Sequence, residues 1–261
     1  MKIEHITHQP KSKTHEIPIL LIHGLWHGAW CWDDGFMERL AEQGYEVHAL
    51  SWRGHAQSEG RIFGSRAKDY ISDVEKVIAD IGTTPILIGH SAGGFVTQHI
   101  CAKRDDIPAA ITLAAAPPFG VWDGMLQVAL KQPLAFLVTN LTVNLGPLVS
   151  TPEQARWAFF SDSMPDEDVT RYHAKMDSES YRMFLDMLLL NLPSPQRVTN
   201  PLLVMGGEAD TVIREQVVRK TAEKYGKEAV IFPGMAHDMM LDSGWEDVVE
   251  HIVGWLGEQG Y

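Results

Sequence analysis

The chain is 261 residues long, with 45% hydrophobic and 21% charged residues, the balance of a globular protein with a substantial core. Its formal net charge is −12 and no Lys/Arg cluster interrupts it, which sets nucleic acid aside as a partner. The two cysteines, Cys31 and Cys101, lie far apart and read as reduced thiols rather than a disulfide scaffold.

The first apolar run, Ile17–Ile22, reads as a strand. Asp33–Gln43 follows as a helix with Phe36, Met37, Leu40 and Ala41 on one face. A strand over Glu46–Trp52 leads to a helix over Arg66–Ile81, whose Tyr70, Val74, Val77, Ile78 and Ile81 share a side. Then come the strand Pro85–Ile88, the helix Gly93–Lys103 and the strand Ala109–Ala115. From Pro117 to Asn200 no convincing strand occurs, only apolar helical pieces and prolines. The rhythm resumes with strands Pro201–Met205 and Ala229–Phe232 and helices Ile213–Tyr225 and Gly244–Leu256. Alternation with near-continuous apolar strands implies a mostly parallel sheet covered by helices on both faces. The expected division is a core of residues 1–116 and 200–261 with a helical cap, 117–199, lying over the sheet's edge.

The N-terminus, MKIEHITHQPKSKTHE, lacks the apolar core of a signal peptide. The greasiest stretch, Met125 to Val149, is broken by Lys131, Gln132, Pro133, Asn140, Asn144 and Pro147, so no membrane span is expected and the location expected is the cytoplasm.

One junction carries chemistry. In PILIGHSAGG an apolar strand ends in small residues around Ser91. A serine between strand and helix must turn sharply to project its hydroxyl from the sheet's end, and Gly89, Ala92 and Gly93 relieve the crowding of that turn. The helix then begins at the serine, and its first backbone N–H groups, including that of Ala92, face any negative charge that develops there.

With this elbow, the segment IPILLIHGLWHGAWCW and the loop SWRGHAQSEG, the chain resembles the α/β-hydrolase superfamily over nearly its whole length outside the cap. The His-Gly segment is most similar to that of plant methylesterases, hydroxynitrile lyases and their bacterial relatives. In the second loop Ala56 stands where the superfamily usually has glycine, a departure in a structural loop. The resemblance implies an α/β-hydrolase fold and a nucleophile, acid and histidine in that chain order. Ser91, Asp210 in PLLVMGGEAD and His237 in FPGMAHDMM satisfy it. Asp123 is the alternative acid, since a minority of the superfamily places it after the preceding strand, and Glu208 reads as a solvated loop carboxylate. Asp238 and Asp242 follow the histidine too closely to orient its far nitrogen. The resemblance also makes the backbone N–H of Leu25 the second oxyanion donor, beside that of Ala92.

Of the 12 histidines, His90 reads as structural and His23 as a support for its loop. His23 and His27 lack a third clustered Cys, Asp or Glu, so neither metal nor other cofactor is expected. His55, His99, His173 and His251 read as surface or structural residues.

The activity implied is serine hydrolysis of a carboxylic ester, or a related acyl bond, of a small and largely apolar molecule through an acyl-enzyme. The same residues serve lyase, C–C hydrolase, perhydrolase or cofactor-free oxygenase chemistry elsewhere in the superfamily. Hydroxynitrile lyases of the plant type need a cap lysine, and Lys131 and Lys175 sit in no matching motif. Serine at position 91 argues against haloalkane dehalogenase and epoxide hydrolase chemistry. A non-catalytic receptor on the same fold is the reading of another class. The chain is expected to act as a monomer or homodimer. Trp26, Trp122, Leu126 and Met187 are the expected pocket residues, in a cap whose leucines, methionines and aromatics mostly pack it onto the core.

Overall fold

Apolar residues at alternate positions of a strand face opposite sides of a sheet, and this chain builds one core on each side of its strands. The computed structural model describes residues 1–261. In chain order the elements are β1 (Glu4–His8), β2 (Ile19–Ile22), α1 (Phe36–Glu42), β3 (Val47–Ser51), α2 (Ala67–Ile81), β4 (Ile86–His90), α3 (Ala92–Cys101) and β5 (Ala110–Leu113). Next come α4 (Trp122–Lys131), α5 (Pro133–Thr142), α6 (Pro152–Phe159), α7 (Asp166–His173) and α8 (Tyr181–Leu185), which runs on into a wider helical turn. The last elements are β6 (Leu202–Gly207), α9 (Glu215–Lys224), β7 (Ala229–Phe232) and α10 (Trp245–Glu258).

The strands form one sheet in the order β1-β3-β2-β4-β5-β6-β7, parallel throughout except that β1 runs antiparallel to β3. Ile19 and Leu21 of β2 join a cluster with Phe36, Met37 and Leu40 of α1 and Val248, Val249 and Ile252 of α10. Their neighbours Leu20 and Ile22 join the opposite cluster, with Val74 and Val77 of α2, Phe95 and Val96 of α3 and Val217 and Val218 of α9. Helices therefore cover both faces, and all six parallel strands point their C-terminal ends the same way. In open parallel sheets that rim is where ligands bind.

Two expectations need correction. Strand β1 was not anticipated, because EHITH offers only Ile6 to the apolar pattern. As an edge strand its polar side chains find partners on β3, with His5 Nε2 2.9 Å from His48 Nδ1 and Thr7 Oγ1 3.1 Å from the same atom. The second concerns α4 and α5. Trp122, Leu126 and Leu130 on α4, with Leu134, Leu137 and Leu141 on α5, face outward and are exposed, rather than packing these helices onto the core. Side chains three or four residues apart share one helix face, so the inward surface falls instead to Met125 and Val128 on α4, with Val121 just before it, and to Phe136 and Thr139 on α5.

Candidate active site

Ser91 caps α3 at the end of β4 with φ 52° and ψ −116°, a conformation that non-glycine residues rarely hold. The surroundings enforce it. The Ser91 N–H donates to Leu113 O at 2.9 Å, and its carbonyl accepts from Phe95 and Ala116 N–H at 3.1 and 3.0 Å. A side chain at Gly93 would run into the carbonyls of Ile22 and His23, and one at Gly89 would meet Thr97 Oγ1 and Gly93 O. Glycine at these two positions is thus a condition of seating α3 against β2 and β4 immediately behind the serine.

The Ser91 hydroxyl donates to His237 Nε2 at 2.9 Å, and His237 Nδ1–H donates to Asp210 Oδ2 at 2.7 Å. Asp210, beyond β6, is held by Val212 and Ile213 N–H on its other oxygen, at 2.7 and 2.8 Å. His237 follows β7. Burial alone would lower its pKa, but the charge and hydrogen bond of Asp210, with the charge of Asp238, leave it above the ordinary histidine value of 6.5. Chemically, a hydroxyl hydrogen-bonded to an imidazole backed by a buried carboxylate is set to lose its proton as it attacks a carbonyl. The N–H of Leu25 donates to no protein acceptor, and Ala92, as the first residue of α3, has no intrahelical one.

The other acidic candidates are committed elsewhere. Asp123 forms an ion pair with Arg214, with Nε 2.9 Å from Oδ2. Glu208 accepts the Gly234 N–H at 3.0 Å. Asp242 accepts Ala236 N–H and Ser161 Oγ–H, both at 2.7 Å, and so pins the loop before His237. Asp238 accepts from His27 Nε2 at 2.9 Å, while His27 Nδ1 donates to Leu25 O at 2.7 Å. Burial would push the Asp238 carboxyl up, yet His27 beside it holds it below the usual carboxylate range. His27 therefore ties the Leu25 loop to the His237 loop. His90 Nε2 donates to the His237 carbonyl at 2.9 Å, and its burial pushes its pKa down to about 3. His23 accepts from Trp52 N–H at 3.0 Å and donates to Gly24 O at 2.7 Å. No group of three or more His, Cys, Asp or Glu is placed to hold a metal ion.

An apolar cavity opens onto Ser91 and His237. Trp26 and Met187 line it, as do Leu25, Phe136, Phe159 and Phe184. Trp122 and Leu126 do not: both sit on the outer face of α4, with 48% and 53% of their surface exposed. No lysine lines it either, which leaves Lys131 and Lys175 outside any role there. The cavity is a narrow slot with a volume of about 90 Å³.

A profile of the alpha/beta hydrolase family matches residues 19–251. The chain belongs to that family. This hydrolase is 26% identical over 235 residues to a monoacylglycerol lipase of Mycolicibacterium smegmatis, covering 84% of this chain and 80% of that one. It is 26% identical over 250 residues to the bifunctional esterase/perhydrolase DCH of Acinetobacter calcoaceticus, 86% of each chain. Among solved structures, the monoacylglycerol lipase of Paleococcus ferrophilus superposes with a TM-score of 0.73 at 22% identity, over 99% of this chain and 100% of that one, a likeness of fold.

Sequence reasoning passed over a buried carboxylate beside the site of this hydrolase. Glu179, between α7 and α8, accepts from His55 Nε2 at 3.0 Å, Tyr70 OH at 3.1 Å and the backbone N–H of Trp26 at 3.2 Å. Trp26 O accepts the Asp177 N–H at 2.9 Å. Trp26 has φ 63°, so residues 177–179 clamp a strained residue next to Leu25. Burial works against both charges, but Glu179 raises the pKa of His55 above 6.5 and His55 holds that of Glu179 below 4.5. No sequence signal set it apart, because the approach to α8, AKMDSES, is mostly polar and carries two acidic residues.

Proposed function

We propose that the protein is a serine hydrolase that cleaves a carboxylic ester with an apolar acyl group through an acyl-enzyme. The observation that carries this reading is the continuous hydrogen-bonded line Ser91–His237–Asp210 at the end of an apolar cavity. Ser91 Oγ attacks the ester carbonyl while His237 Nε2 takes its proton, and Asp210 stabilises the imidazolium. The backbone N–H groups of Leu25 and Ala92 receive the developing oxyanion, each such donor contributing about 10²–10³ in rate. His237 returns the proton to the leaving alcohol, then activates water to free the acyl group. The similarity to enzymes named as lipases and esterases supports ester over amide as the bond cleaved.

The helices from α4 to α8 act as a cap in this reading, since α4, α5 and α8 supply Met125, Val128, Phe136 and Phe184 to the slot. A perhydrolase reaction, with peroxide in place of water, is the second reading, favoured by the relative that carries both activities in its name. No helix is long and apolar enough to cross a membrane. The buried, unpaired thiols of Cys31 and Cys101 support a reducing, cytoplasmic location. Turnover of p-nitrophenyl esters tests the main reading: the native protein hydrolyses them, and Ser91→Ala loses several orders of magnitude in kcat. A Ser91→Ala variant with near-native activity, or a native protein inert toward all such esters, would remove it.

A further inference from the structure

Threonines inside α-helices of this protein turn their hydroxyls back onto the carbonyl four residues earlier. Thr97 donates to Gly93 O at 2.9 Å, and Thr142, Thr170 and Thr221 donate to Val138, Asp166 and Val217 O, each at 2.8 Å. Thr139 on α5 is the exception. It is 2% exposed, its Oγ1 has no hydrogen-bond partner, and it lines the cavity that holds Ser91 and His237. A buried hydroxyl without a partner is destabilising, so native proteins rarely leave one idle.

The rest of the lining sharpens the point. The cavity has no Asp, Glu, Lys or Arg in its wall. Asn140 contributes an amide already engaged at both atoms: Nδ2 donates to Phe136 O and Oδ1 accepts from Tyr181 OH, both at 2.7 Å. Ser91 and His237 are bonded to each other. Trp26 Nε1, in the loop beside Leu25, and Thr139 Oγ1 are the side-chain polar atoms of the wall with no partner, and of the two Thr139 Oγ1 is the one that can accept as well as donate. It sits on the cap, while Ser91 sits on the sheet.

We propose that Thr139 recognises a neutral polar group, a keto or hydroxyl oxygen, carried by the apolar portion of the substrate away from the scissile ester. The substrate class is then an oxo- or hydroxy-substituted carboxylic ester rather than a plain alkanoate. A carboxylate or ammonium at that place would find no countercharge and is excluded. This rests on the serine-hydrolase reading and adds specificity to it, because a pocket hydroxyl built to pair with substrate discriminates against the analogue that lacks the partner.

The test compares kcat/KM for p-nitrophenyl hexanoate with that for p-nitrophenyl oxohexanoates differing in the position of the keto oxygen. The comparison is made in the native protein, Thr139→Val and Thr139→Ser. Valine keeps the shape of threonine and removes the hydroxyl; serine keeps the hydroxyl. The native protein is expected to prefer one oxo isomer over the plain ester, and Thr139→Val to cut that preference about ten-fold. Part of the change should come from faster turnover of the plain ester, which no longer leaves a hydroxyl unpaired. Thr139→Ser should retain the preference. Equal ratios in native and Thr139→Val proteins for every isomer, or no oxo preference in the native protein, would overturn the proposal. Turnover of the plain ester by the native protein reports separately on the serine-hydrolase reading, so the two can fail independently.

Discussion

His237 must be neutral to accept the Ser91 proton, so kcat/KM should rise with pH as the histidine loses its own. Asp210 lifts its pKa, which puts the acid limb of the native protein above the ordinary histidine value of 6.5. Asp210→Asn removes that charge and leaves burial, the largest influence on the ring, acting to lower the pKa. The limb should then move to lower pH while the plateau falls by up to about 10⁴. A pH profile of both proteins on one p-nitrophenyl ester checks the two effects together. Asp210 and His237 were legible in the sequence because each sits a few residues past a strand in a short motif. His27 and Asp238 were not seen as a pair, because their 2.9 Å contact joins loops 211 residues apart.

Whole elements depend on such distant pairs, and Glu179 is the clearest case. It fixes the approach to α8 against the loops bearing Trp26 and His55, with both members of the His55–Glu179 pair fully buried. Glu179→Gln leaves His55 buried without its countercharge, a change worth about 3–5 kcal/mol and a fall in Tm on the order of 10 °C. The pH dependence has a definite sign. The raised pKa of His55 stabilises the fold fully below the unfolded value of 6.5 and fades as pH rises through the folded value. The lowered pKa of Glu179 stabilises it above 4.5 and fades as pH falls through the folded value. The Tm gap between native and Glu179→Gln proteins should therefore be widest between these two unfolded values and narrow above the raised pKa of His55. Calorimetry across that range checks it, and a gap independent of pH would mean the pair carries no charge. The faces of α4 were harder to read than its existence. VWDGMLQVALK is apolar on more than one side, so periodicity did not decide whether Leu126 or Met125 looked inward. Strand β1 escaped for the opposite reason, since an edge strand needs little apolar pattern.

At the scale of the molecule, three rim loops after β4, β6 and β7 deliver Ser91, Asp210 and His237, and the loop after β2 delivers Leu25. The mostly parallel sheet and both helical layers followed from strand–helix alternation, because parallel strands need long crossovers and buried faces. The wall of the slot did not follow, since it is shared between cap and sheet and depends on how one packs over the other. The proposed ester chemistry passes through one oxygen atom, Ser91 Oγ. A fluorophosphonate titration with peptide mapping by mass spectrometry tests it most directly, read alongside the loss of p-nitrophenyl esterase activity. The expected result is a single adduct per chain, on Ser91, with activity falling in step with its formation. An adduct on another residue, or full modification of Ser91 with ester hydrolysis intact, would contradict it.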